Sequence, residues 1–305
     1  MTGRRGGAKI RGGDVNGERL SRPQSKKGRM QRIVLELLCE KERNGEIPTN
    51  GRFVLYELEM AGQARKSRKG ESRRDHGDDL PREQAVIDAL TWLRNEDVIP
   101  WAWIEDETRR LDGYDHHDTV AGLLTSVCEH ATINPWDGLP PLILCESRSL
   151  SGILRPLCDE YRCRLTATNG QARGFLVTEI APILADNDRA VLYLGDLDHR
   201  GGQIEAHTQR VLEHETGRVF DWTRIAITEE QVAERGLTPT VKVDSAYRPP
   251  LEHDAWEAEA LTQRVVVALV REALDLRLPQ PLPDVQERER LEREALGDLL
   301  RESES

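Results

Sequence analysis

The chain has 305 residues, enough to bury one large core or two smaller ones. Hydrophobic residues make up 38% of it and charged residues 32%, a polar but still globular balance. No apolar run approaches the length of a membrane span, the start (MTGRRGGAKIRGGD) lacks the apolar core of a signal peptide, and Cys39, Cys128, Cys145, Cys158 and Cys163 are scattered without a CxxC. A membrane protein, a disulfide scaffold and a zinc site are disfavoured, and reduced thiols in a cytoplasmic setting are expected.

The formal net charge of −11 seen whole argues against nucleic acid as a partner. Its distribution says more. Residues 1–74 hold 19 Lys and Arg against 9 Asp and Glu, and the rest hold 24 against 45, so a quarter of +10 precedes a body of −21. Such asymmetry fits a polyanion-binding face, and it equally fits a solubilising tail.

Residues 1–28, rich in Gly, Arg, Lys and Ser, are expected to be a disordered basic tail. From Gly28, the apolar residues Ile33, Val34, Leu37 and Leu38 share one helical face up to about Asn44. Pro48-Thr49-Asn50 is a turn and N-cap signal before a second helix, Arg52 to about Met60. The polar run Gln63–Asp79 reads as an exposed loop. It carries Arg65, Lys66, Arg68, Lys69, Arg73 and Arg74 without interleaved aromatics, which suits nonspecific phosphate contact rather than base readout. A third helix, about Pro81 to Asn95, places Ala85, Val86, Ala89, Leu90 and Leu93 at helical spacing. The segment VIPWAWIEDE then reads as strand-like. Three helices and an extended element suggest a winged-helix DNA-binding domain over residues 29–110.

Residues 111–138 read as a helical connector. His116 and His117 in YDHHD stand before a helix with Asp118 available as its cap, which favours an exposed helix start over a metal cluster. From 139 the pattern becomes α/β. Strand PLILCE (Pro141–Glu146) leads to a helix through Tyr161, and strand RLTAT (Arg164–Thr168) to a helix around Phe175–Leu184. Strand AVLYLGD leads to a helix from about Gly202 to His214, and WTRIAIT closes the unit. Four strands with three crossovers predict a parallel, Rossmann-like four-stranded sheet whose ligands gather at the carboxyl ends of its strands. Glu146 ends the first strand; Asp196 and Asp198 end the third. Residues 229–262 add a short helix, a loop with Lys242 and Asp244, and a helix from about Trp256. Residues 263–305 read as a charged helical segment, with Pro279, Pro281 and Pro283 set to break any helix running into its Glu- and Arg-rich end.

Acidic residues at i and i+2 of an extended segment project to the same side and repel each other. A fold tolerates Asp196 and Asp198 most readily with a cation between them, and oxygen-only ligands favour a hard ion such as Mg2+. A lone DxD is shared with phosphatases and sugar transferases, but a dehalogenase-type phosphatase would carry it on the first strand, which here ends in CES.

Glutamate after the first strand, DxD after the third and glycine soon after resemble the Toprim domain. More narrowly, the chain resembles the A subunit of topoisomerase VI with its meiotic break-forming relatives, the single-chain Mini-A proteins above all. The family's DxDPxGxxI stands here as Asp196-Leu197-Asp198-His199-Arg200-Gly201-Gly202-Gln203-Ile204, with His199 in place of proline. Its early glutamate matches Glu146 in LCES, and its REIYY-like motif matches Arg52-Phe53-Val54-Leu55-Tyr56, which keeps the arginine and the final tyrosine only. ITEEQVAERGL…VKVDS (Ile227–Ser245) and WEAEAL (Trp256–Leu261) are similar to segments after the family's Toprim core, whereas NGQARGFL departs from its usual glycine- and proline-containing version.

The resemblance implies an α/β chain in which a winged-helix domain precedes a Toprim domain over residues 139–262. It implies Mg2+-dependent DNA cleavage, with Tyr56 as nucleophile and Glu146, Asp196 and Asp198 as metal ligands. A phenol of ordinary pKa about 10 is a poor nucleophile at neutral pH, and Arg52, one turn earlier on the same helix face, could reach the same phosphate. His199 and Lys242 are further candidate DNA contacts. In the family one subunit's tyrosine works with the metal of its partner, so a homodimer is implied. Strand passage would need a separate ATPase subunit. Taken alone, Tyr56 fits a helix tyrosine packed beside Phe53. A hydrolytic Toprim nuclease without a covalent intermediate, and a non-catalytic DNA-binding or regulatory protein, remain as alternatives.

Overall fold

The structure is a computed structural model, and it describes residues 20–22, 24–66, 80–104, 117–170, 173–185, 189–244 and 250–303. The chain is mixed α/β and forms two compact units. One comprises Met1–Asp106 with Glu259–Arg264; the other comprises Glu107–Ala258 with Val265–Ser305. Among the described residues no helix is long and apolar enough to cross a membrane.

The first unit is built on α1 (Lys26–Arg43), α2 (Gly51–Met60) and α3 (Glu83–Asn95). The Ser25 hydroxyl accepts from Gly28 N–H at the start of α1, and the Asn50 side chain accepts from Arg52 and Phe53 N–H at the start of α2, satisfying amides the helices cannot pair themselves. Met30, Val34 and Leu38 of α1 meet Val54 and Leu58 of α2 and Val86, Leu90 and Leu93 of α3 in one core. The segment VIPWAWIEDE differs from its expected strand. Among its described residues, 98–104, Trp101–Trp103 makes a 3-10 turn after Pro100, and extended pairing is reduced to one bridge, Thr49 with Ile104. Burying Trp103 against the three helices outweighs the weak strand signal. Gln263, from the returning Glu259–Arg264 segment, donates to the carbonyls of Glu46 and Pro48 within this unit.

In the second unit, α4 (Val120–His130) begins on Thr119, whose hydroxyl accepts from Gly122 N–H; Asp118 is therefore not its cap. His116 lies outside the described residues. Four strands follow, β1 (Leu142–Cys145), β2 (Arg164–Ala167), β3 (Val191–Leu194) and β4 (Trp222–Ala226), in the order β2-β1-β3-β4 and all parallel. Between them run α5 (Arg148–Glu160), the short helices α6 (Arg173–Phe175) and α7 (Ala181–Leu184) on either side of a π turn, Leu176–Ile180, and α8 (His199–Thr216). The central strands LILC and VLYL are buried at every position, as expected of strands covered on both faces. Because β1 and β3 are neighbours in register, with Cys145 beside Leu194, the residues that follow each strand emerge side by side.

After α9 (Glu229–Arg235) the structure departs from the expected loop. Thr240–Asp244 is a strand, β5, paired antiparallel with β6, Leu251–Ala255, and Lys242 lies opposite His253. Instead of a helix from Trp256, a bridge between Leu197 and Trp256 ties this hairpin to the loop after β3, and a 3-10 turn, Ala258–Ala260, precedes α10 (Gln263–Asp275). The charged terminal helix, α11, spans Leu282–Ser303 and starts with Pro283 inside its first turn, where a missing N–H costs nothing.

Candidate active site

Glu146 is the first residue after β1, and its N–H donates to Leu194 O of β3 at 2.8 Å. Its carboxylate turns to the neighbouring loop and accepts from Asp196 N–H at 3.0 Å. Asp196 Oδ1 accepts from Ala258 N–H at 3.0 Å. Asp198 caps α8, Oδ1 accepting from Gly201 N–H at 2.6 Å. The two carboxylates expected from the DxD spacing and the glutamate fifty residues earlier thus share one end of the sheet. The hairpin contributes Lys242, whose ammonium donates to Asp198 Oδ2 at 2.7 Å and lies 3.7 Å from Asp196 Oδ2. Glu257 Oε1 stands 3.6 Å from the same ammonium.

The electrostatics separate these acids. Burial, followed by the charge of Asp196, pushes Glu146 from the usual 4.5 up to about 7. Burial of Asp198 works in the same direction but is outweighed by the Lys242 ammonium and the Gly201 amide, which hold its carboxyl below the ordinary value. For Glu146 the folded chain keeps its proton longer than the unfolded chain. Its contribution to stability is therefore complete below about pH 4.5 and is lost as pH rises to about 7. Glu146→Gln keeps an oxygen for Asp196 N–H and removes the titration. It is expected to stabilise the fold by about 3 kcal/mol at pH 8 in EDTA, on the scale of a shift of this size, and to change nothing at pH 4. Equal urea midpoints for wild type and variant at pH 8 would refute this.

Other residues hold the loop in place. Arg224 of β4 donates from Nη2 to the carbonyls of Gly195 at 2.9 Å and Asp196 at 2.7 Å, while pairing with Glu205 of α8. A Cβ on Gly195 would fall 2.7 Å from the Tyr193 hydroxyl and 2.9 Å from Glu146 Oε2, so glycine is what lets these groups close together. Sequence reasoning missed Arg224 and gave Glu257 no role. The only signal for Glu257 was its place in the WEAEAL segment.

His199 is the first residue of α8; its ring lies 3.0 Å from Gln203 Nε2 and edge-on to His253 at 6.1 Å between centroids. An open groove of about 570 Å3 runs past Asp198, His199, Gln203 and Arg210. A second, of about 550 Å3 beside β2, carries Arg148, Arg155, Thr166 and Asn169.

The first unit holds the other candidate residues. Tyr56 is buried, with 6% of its surface exposed, and its hydroxyl accepts from Lys66 Nζ at 2.8 Å. The Arg52 guanidinium lies 5.9 Å from the Tyr56 ring centre, and its Nε is 3.1 Å from Glu259. Arg65 makes a parallel bridge with Arg82. Arg68, Lys69, Arg73 and Arg74 lie outside the described residues.

Among the described residues, no three His, Cys, Asp or Glu side chains form a ready-made metal-binding group. The donor set nonetheless suits a hard cation: carboxylate oxygens of Asp196, Asp198 and Glu257 all face one positive point, the Lys242 ammonium. Comparison with known proteins gave no match to any family model, curated protein or solved structure.

Proposed function

We propose that the protein cleaves DNA with the help of Mg2+, in the manner of a topoisomerase VI A subunit. The observation that carries this reading is the convergence of Glu146, Asp196 and Asp198 at the carboxyl ends of two adjacent parallel strands. The strand order β2-β1-β3-β4, with an acid after β1 and DxD after β3, supports a Toprim domain. The three-helix core supports a winged-helix unit. Arginines along the groove beside β2 suit a polyanionic substrate despite the acidic body.

In this reading Glu146, Asp196 and Asp198 are the residues that would hold Mg2+, which when bound would supply positive charge for the phosphate oxygens and the leaving sugar oxygen. Tyr56 Oη forms a bond to phosphorus as the bond from phosphorus to the sugar oxygen breaks. The phenol proton leaves to solvent and the sugar oxygen takes one up. An ammonium donor such as Lys66 favours negative charge on the attacking oxygen, and Arg52 is available to the phosphate. The product is a phosphotyrosyl ester, a 5′ linkage by resemblance to the family. It keeps the bond energy for religation. A homodimer and a separate ATPase subunit belong to the same reading.

One observation favours a second reading. Tyr56 is nearly enclosed, so Tyr56 would be structural and water the attacking group, as in a hydrolytic Toprim nuclease. The two separate cleanly in one assay: supercoiled plasmid is incubated with protein and Mg2+, denatured, and examined for protein on the cut ends. Attached protein that disappears in Tyr56→Phe is the expected result. Cutting without attachment that persists in Tyr56→Phe would establish the nuclease, and DNA binding without cutting under varied ions would leave a regulatory module.

A further inference from the structure

The carboxylate cluster already holds a cation of its own. Lys242 reaches in from β5, in the hairpin tied to the site by the Leu197–Trp256 bridge. Its ammonium touches Asp198 at 2.7 Å and lies 3.7 Å from Asp196 and 3.6 Å from Glu257. Three acids from the loop after β3 and the turn after β6 therefore share one positive charge. Glu146 does not touch that charge; its carboxylate is bound to Asp196 N–H instead.

A divalent ion of the magnesium type binds carboxylate oxygens at about 2.0–2.1 Å. It cannot share a position with an ammonium hydrogen-bonded to the same oxygen, and the two positive charges repel. Lys242, with 37% of its side chain exposed and a four-carbon stem, is free to swing toward solvent once displaced. A second, independent observation lies behind the loop. The Tyr193 hydroxyl is fully buried and, among the described residues, has no hydrogen-bond partner. It and Glu146 Oε2 both lie within 3 Å of the point where a Gly195 Cβ would stand, which puts it on the Glu146 side of the loop that carries Asp196.

We propose that Lys242 is a built-in counter-cation which a divalent ion must displace, and that Glu257 joins Asp196 and Asp198 as the third carboxylate of that cradle. This rests on the reading that the carboxylates bind a divalent cation. Lys242 keeps the acids compensated without metal and sets the affinity low, so the site loads only when divalent ion is abundant.

Binding of Mg2+ by calorimetry and of Mn2+ by electron paramagnetic resonance, on the full chain, tests this. Lys242→Met is expected to bind either ion at least about tenfold more tightly than wild type, the scale of removing one competing charge. Lys242→Arg should stay near wild type, and adding Glu257→Gln to Lys242→Met should cancel the gain. A readout on the unaltered chain covers the case where Lys242→Met does not fold. Acylation of Lys242 by an amine-reactive reagent, followed by mass spectrometry, should rise several-fold on adding Mg2+ as the ammonium is expelled. Equal affinities in wild type and Lys242→Met, or Lys242 labelling unchanged by a Mg2+ concentration that binds, would overturn the displacement while leaving the cation site standing. No binding of either ion to any of these proteins would overturn both.

Discussion

Asp196→Asn is expected to leave the protein folded and to slow strand cleavage by about 100- to 1000-fold, the scale of losing one group that stabilises transition-state charge. The fold should survive because Asn keeps an oxygen where Asp196 Oδ1 accepts from Ala258 N–H. Activity should not, because the amide that replaces Oδ2 is neutral and places a donor near the point, now held by the Lys242 ammonium, where the proposed cation would bind. Both the transesterase and the nuclease reading require this carboxylate, so the experiment tests what they share. Plasmid nicking measured with matched melting curves decides it. Cleavage by Asp196→Asn at the wild-type rate would remove the carboxylates from the chemistry. Asp198 is a less clean target, since it also caps α8 and its replacement mixes stability with function.

Gly201→Ala should destabilise the protein by about 3 kcal/mol or more, at the upper end of what overpacking costs. A Cβ at this position would stand 2.3 Å from the Asp196 carbonyl oxygen and 3.0 Å from its carbonyl carbon. These are backbone atoms and cannot rotate aside. The same oxygen accepts from Arg224 at 2.7 Å, so relief by moving the Asp196 peptide breaks a second contact. Gly202→Ala is the control: its Cβ would meet nothing within 4 Å, and alanine is the better helix former at that place in α8. Urea unfolding of the pair should show a large loss for Gly201→Ala beside a neutral or slightly stabilised Gly202→Ala. A Gly201→Ala midpoint close to wild type would mean that α8 starts differently from the structure described.

Much of the architecture was legible in the sequence because it depends on local pattern. The four strands declare themselves as short apolar runs between helical stretches, and a right-handed parallel arrangement brings their carboxyl ends to one edge. Glu146, Asp196 and Asp198 could therefore be placed together before any coordinates. Asn50 was recognisable as a cap for the same reason, since capping involves only the next three residues.

The hairpin escaped. Thr240–Asp244 alternates, but its apolar residues Val241 and Val243 are exposed, 66% and 58%, so the alternation faces no core and reads as loop. Its partner Leu251–Ala255 (LEHDA) is too polar to announce a strand. VIPWAWIEDE failed in the opposite way. Its aromatics look like strand residues, yet after Pro100 they form a turn that packs Trp103 onto the helical core and leaves Trp101 exposed.

By itself the sequence determined the three helices of the first unit, the four parallel strands and the acids that follow two of them, because periodicity, capping and turn chemistry act over a few residues. Only the tertiary structure decided that Lys242, forty-four residues beyond Asp198, compensates the cluster, and that Ala258 N–H, sixty-two residues beyond Asp196, and the neighbouring Glu257 close it. Contacts at that separation are fixed by how the hairpin docks on the loop after β3. No local pattern encodes that docking.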